Sequence, residues 1–139
     1  MLTCTLTAGP LVALTNFAPG HTATGTGALT ATTLLQPSWT LQAQDTGSGA
    51  GHMVAASTGC AGSDATLANP LQVKVTSGLG SVNSPGTISL SAANQTVASA
   101  TSQILNADTL TTAYSQVIPA NEQMRTGCVY SITVTYTLQ

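Results

Sequence analysis

The eleven residues that precede the final Gln139 constrain the fold of this chain more than any other stretch. From Cys128 to Leu138 the apolar side chains of Cys128, Tyr130, Ile132, Val134, Tyr136 and Leu138 alternate with Ser131, Thr133, Thr135 and Thr137. Successive strand residues point to opposite faces, so a period of two sustained this far predicts a strand with one side on a core. Shorter runs repeat the pattern. Leu2, Cys4 and Leu6 alternate with Thr3, Thr5 and Thr7; within Ser38 to Asp45, Trp39, Leu41 and Ala43 alternate with Thr40, Gln42 and Gln44; and Leu71, Val73 and Val75 alternate with Gln72, Lys74 and Thr76.

Between these runs stand the residues that interrupt strands. Gly9-Pro10 breaks the first, after which Leu11 to Leu14 resumes as an apolar run, and Ala18-Pro19-Gly20 reads as a turn. Thr22 to Leu34 reads as extended, with Gly25 and Gly27 as bulge or edge positions. Ile88 and Leu90 mark a short strand, and Leu110 to Ile118 a longer one ending at Pro119. Ser77 to Gly86 reads as a turn region, Ser91 to Ser102 as a polar stretch, and Thr46 to Pro70 as a long, poorly periodic connection. About eight antiparallel strands at this spacing predict an all-β protein, a two-sheet Ig-like or jelly-roll-like sandwich forming a single domain over residues 1–139.

Charge narrows the partners. Charged residues make up 4% of the chain, against roughly 25% in a typical soluble domain; they are Lys74, Arg125, Asp45, Asp64, Asp108 and Glu122. Phosphate recognition needs clustered Lys and Arg, so nucleic acid is excluded as a partner. A surface with so few ions has little repulsion to keep copies apart, which favours contact with itself or with a solid polymer. No run of 18 apolar residues predicts a spanning helix. The start shows no basic segment followed by an apolar one, and Met1 is read as standing where a signal peptide has been removed.

Cys4, Cys60 and Cys128 lack C-x-x-C spacing, which excludes a zinc knuckle or a thioredoxin motif. A Cys60–Cys128 disulfide is favoured, joining the long Gly-rich connection to the start of the last strand and contributing about 4 kcal/mol in the chain-entropy view. Three buried, reduced thiols are the alternative. Cys4 is then free, or its partner lay in the segment removed.

Trp39-Thr40-Leu41 is a literal W-x-L; Asn69-Pro70-Leu71 precedes a strand, and the chain ends Ile132-Thr133-Val134-Thr135-Tyr136-Thr137-Leu138. Over roughly residues 28–139 this resembles the WxL domain of Gram-positive surface proteins, which implies a β-sandwich attached non-covalently to the cell wall. The second Trp-x-Leu of that family falls at Tyr136-Thr137-Leu138, where Tyr replaces Trp. Cys4, the stretch Tyr114-Ser115-Gln116-Val117-Ile118-Pro119-Ala120 and the alternating terminal strand are also similar to spore-coat U and pilin-like proteins. That resemblance implies polymerisation by donating a strand to a neighbour's sheet edge.

Asp45-Thr46-Gly47-Ser48 matches the aspartic-protease tetrad, but that chemistry needs two aspartates sharing a proton in an apolar setting. Here Asp45 runs into Gly-Ser-Gly-Ala-Gly and reads as turn chemistry at a strand end. His21 and His52 sit in Gly-containing loops without further ligands at metal spacing and read as exposed loop histidines. No G-x-S-x-G elbow occurs. No catalytic residue, metal or cofactor is therefore expected. Trp39 shares its phase with Leu41 and is expected in the core. Asn94-Gln95-Thr96 fits the glycosylation sequon, which matters only in a eukaryotic secretory setting.

Three threonine rows remain: Thr133, Thr135, Thr137; Thr22, Thr24, Thr26; and Thr3, Thr5, Thr7. Two such rows on adjacent strands would make an uncharged hydroxyl-and-methyl surface able to bind ice, glycan or a second copy; otherwise Thr is simply the solvent-side residue of a low-charge sheet. The sequence thus predicts an exported, non-catalytic structural or cell-surface protein, found extracellularly or on the cell surface, whose partner is itself or a cell-wall polymer. A glycan- or ice-binding module using the Thr faces is the alternative.

Overall fold

The computed structural model describes residues 3–34, 36–55, 65–79, 81–102, 104, 108–125 and 127–139. Among these residues eleven strands form in chain order: β1 Thr3–Ala8, β2 Thr22–Leu34, β3 Trp39–Asp45, β4 Val54–Ala55, β5 Gln72–Ser77, β6 Val82–Asn83, β7 Ile88–Ser89, β8 Gln95–Ala100, β9 Asp108–Val117, β10 Tyr130–Ser131 and β11 Val134–Leu138. They pair antiparallel throughout. A five-stranded sheet runs β1-β2-β9-β5-β7, a four-stranded sheet runs β11-β3-β8-β6, and β10 pairs with β4 separately. The fold is all-β and sandwich-like, and among the described residues there is no helix.

The core lies between the sheets, where Leu29, Ala31, Val73, Val75 and Leu110 of one meet Trp39, Leu41, Ala43 and Val97 of the other. Removing each of the larger side chains from water contributes about 1.5–3 kcal/mol. Trp39 is 2% exposed, as its phase with Leu41 predicts, and its indole Nε1 donates to the Ser102 carbonyl at 3.1 Å. The buried Thr33 hydroxyl is satisfied in the same way, accepting from the Ile104 amide at 2.8 Å.

Several local expectations are corrected. The C-terminal alternation is not one strand: β10 pairs with β4 and β11 with β3, and the chain changes sheets at Ile132-Thr133. Alternation survives the change because both short sheets bury the same parity of side chain. The polar stretch Ser91 to Ser102 contains β8, an interior strand of its sheet. A bulge opposite Leu41 and Gln42 buries both Val97 and Ala98, which erases the period of two there. The Ser77 to Gly86 turn region contains β6.

Gly25 and Gly27 are neither bulge nor edge, since β2 stays in continuous register with β9 through both. They allow close approach instead: a Cβ at Gly27 would come within 2.7 Å of Val12 Cγ2, and one at Gly25 within 2.9 Å of the Ala13 carbonyl. Leu11 to Leu14 accordingly crosses the sheet as an irregular segment rather than a strand. It is fastened where the Gly9 amide meets the Ala28 carbonyl and where Thr15 bridges Thr24.

Candidate functional site

Edges decide what an all-β protein can present to another molecule, because an unpaired strand offers a row of free amides and carbonyls. This molecule treats its two sides differently. On one side the sheets end in β7 and β6, two residues each, with Pro85 between them. On the other they end in β1 and β11, six and five residues long, which approach each other and carry no charged residue and no proline. Short edges are protected; long uncharged ones are available for pairing.

An open groove of about 780 Å³ lies on the long-edged side. Its walls are the irregular segment Pro10 to Leu14 and the stretch Cys128 to Ile132, and Leu29, Tyr114, Val134 and Tyr136 also line it. Leu11 on its rim is fully exposed and Val129 is 70% exposed. Within it the Tyr114 and Tyr136 hydroxyls are 2.6 Å apart, linking β9 to β11. Burial, and secondarily the neighbouring Tyr114, pushes the Tyr136 phenol well above its ordinary range.

Asp45 is buried and closes the loop after β3: its Oδ1 accepts from the Gly47 amide and its Oδ2 from the Gly51 amide, both at 2.8 Å. That is the turn role expected of it. His21 is exposed, but His52 is half-buried and donates from Nδ1 to the Leu67 carbonyl at 2.8 Å, correcting its reading as an exposed loop residue. Among the described residues no group of three His, Cys, Asp or Glu is placed to hold a metal ion, and no helix is long and apolar enough to cross a membrane. Cys4 is a free, exposed thiol whose Sγ donates to Gln36 Oε1 at 2.9 Å. Cys128 is disulfide-bonded, and Cys60 lies outside the described residues.

Two of the threonine rows lie on adjacent strands, β1 and β2 of the five-stranded sheet, but not directly opposite one another. Thr133, Thr135 and Thr137 belong to the β11 side of the four-stranded sheet, where Thr135 and Thr137 face Gln44 and Gln42. Thr22, Thr24 and Thr26 lie on β2 opposite Val117, Ser115 and Ala113 of β9. In the first row, Thr5 and Thr7 stand opposite Thr32 and Thr30, while Thr3 pairs with Leu34 in the backbone register. Register adds members that alternation alone did not select: Thr30 faces Thr109, and Thr111 faces Thr76. Thr30, Thr32, Thr76, Thr109 and Thr111 thus join Thr5, Thr7, Thr22, Thr24 and Thr26 on the outward side of one sheet.

No family model, curated protein or solved structure matches this chain.

Proposed function

We propose that this chain is an exported, non-catalytic structural protein of a cell surface or matrix that assembles with copies of itself through the side bounded by β1 and β11. The observation that carries the reading is the asymmetry of the edges: two-residue strands close one side, and long uncharged strands flank an apolar groove on the other. An extended segment of a second copy would pair with the β11 backbone and set alternate apolar side chains into the groove, the mode of sheet augmentation. The near absence of charge supports it, since 4% charged residues leave little to repel a second copy.

A Cys60–Cys128 bridge belongs to the same proposal. Cys128 is bonded and Cys4 is free, and a disulfide of that span suits an oxidising, extracellular setting. Attachment to a cell-wall polymer through Trp39-Thr40-Leu41 is the weaker form, because the Trp39 ring is occupied in the core.

The test is light scattering behind size exclusion over a concentration series, on the wild type and on a Leu11→Lys/Val129→Lys variant. Both positions are exposed, so neither substitution buries a charge, and circular dichroism checks that the variant is folded. Oligomers in the wild type that the variant lacks support assembly through this side, whereas a strict monomer at every concentration contradicts it.

A further inference from the structure

One wall of the groove is strand-like but unpaired. Among the described residues, no backbone amide or carbonyl of residues 11–14 is hydrogen-bonded within the chain; the ladder contacts lie on either side, at Gly9 and Thr15. The segment alternates all the same. Val12 and Leu14 turn down onto two glycines of β2, where a Cβ at Gly27 would come within 2.7 Å of Val12 and one at Gly25 within 2.9 Å of Leu14. Leu11 and Ala13 are exposed, Leu11 fully. Side chains pointing alternately inward and outward are strand geometry, and free amides and carbonyls are what an augmenting strand offers.

The facing wall is its counterpart. β11 ends the four-stranded sheet, so one side of its backbone pairs with β3 and the other is open. Neither wall carries a charge: Pro10 to Leu14 and Cys128 to Leu138 contain no Asp, Glu, Lys or Arg. A partner charged along its strand would have to give up the hydration of those charges against uncharged walls, and a second copy brings none. It also brings both halves of the contact, an open segment for β11 and an open β11 for the segment. Because both bound one groove, they lie on one side of the molecule. A half-turn about an axis through the groove then sets each copy's segment against the other's β11, and the contact is reciprocal. Segment and edge on opposite sides would instead repeat the contact head to tail.

We infer that residues 11–14 of each copy pair with β11 of the other, closing a two-fold dimer that does not grow further. This rests on the assembly reading above and supplies the segment and the symmetry which that reading leaves open. Leu11 of one copy enters the partner's groove, and the exposed Val129 on the groove wall is covered in the same step. Pairing gives the backbone of both walls protein partners in place of water. The far side of the molecule offers no equivalent edge to a third copy, since β6 and β7 are two residues each with Pro85 between them.

The experiment is light scattering behind size exclusion on the full chain and on three single variants, carried to the highest soluble concentration. The wild-type mass should rise from one chain to two and stay there. Leu11→Lys and Ala13→Lys each alter a two-fold dimer twice, and each should weaken it at least about tenfold. Asn83→Lys, on β6, should match the wild type. All three positions are exposed; circular dichroism confirms that each variant is folded, and Leu11→Gln replaces Leu11→Lys or Ala13→Lys where it is not. A mass that climbs past two chains overturns the closed dimer and leaves assembly through this side standing. A dimer that survives both Leu11→Lys and Ala13→Lys overturns the part given to the segment. A strict wild-type monomer overturns the assembly reading, and the inference falls with it.

Discussion

The Tyr114 hydroxyl lies 2.6 Å from that of Tyr136, joining β9 of the five-stranded sheet to β11 of the four-stranded sheet within the groove. Each sheet is held internally by its backbone ladder, so a polar contact between two sheets has to come from side chains. This one sits beside the proposed assembly edge and fixes how far β11 stands from β9.

Tyr136 should make the fold sensitive to alkali. Its folded-state pKa is raised, first by burial and then by Tyr114, while in the unfolded chain it titrates near 10. Above that pH the unfolded state binds fewer protons than the folded one, so stability is full below about pH 10 and falls as pH rises beyond it. Urea unfolding at stepped pH should show this decline, with a shallower slope in Tyr136→Phe.

Asp45→Ala should cost about 3 kcal/mol, because one buried and one part-buried amide lose a charged acceptor. Asp45→Asn, which keeps one oxygen acceptor, should lose less. Chemical denaturation checks the order of the two. Equal losses would mean that the clamp does not hold the Gly47 to Gly51 loop.

Two glycines should respond in opposite directions to alanine. Gly51 has φ +99, and an added Cβ would lie within hard contact of the Leu90 carbonyl oxygen. Gly51→Ala should therefore destabilise by more than about 1 kcal/mol. Gly78 has nothing within 4 Å of such a Cβ, and Gly78→Ala should be neutral or stabilise by up to about 1 kcal/mol through the unfolded chain. Thermal melts of the pair are sufficient.

Alkylation of the native protein should label Cys4 and leave Cys128 unlabelled. Non-reducing peptide mapping should recover Cys60 joined to Cys128, and reduction should cost about 4 kcal/mol. A peptide linking Cys4 to either of the others would contradict the pairing.

The sequence made legible whatever had unbroken alternation. Trp39, Leu41 and Ala43 are buried in phase, as are Leu71, Val73 and Val75. Where geometry departs from a regular ladder the signal failed. The β8 bulge buries Val97 beside Ala98, and the sheet change at Ile132-Thr133 leaves the period intact while splitting the strand. The groove was not legible at all, because Leu11 to Leu14 reads only as an apolar run resuming after Gly9-Pro10, and only the approach over Gly25 and Gly27 shows where it goes. The threonine side was half legible. Alternation places Thr24 and Thr26 outward, but only the register brings Thr109 and Thr111 beside the rows on β2.

Assembly through the β11 edge is tested most directly by amide hydrogen exchange in dilute and in concentrated protein, read peptide by peptide. The account predicts slowed exchange on concentration in the peptides covering Ile132 to Leu138 and in the Pro10 to Leu14 wall, with Val82 to Ser89 unchanged. Exchange that is the same at both concentrations along β11, or protection confined to the β6 and β7 side, would contradict it.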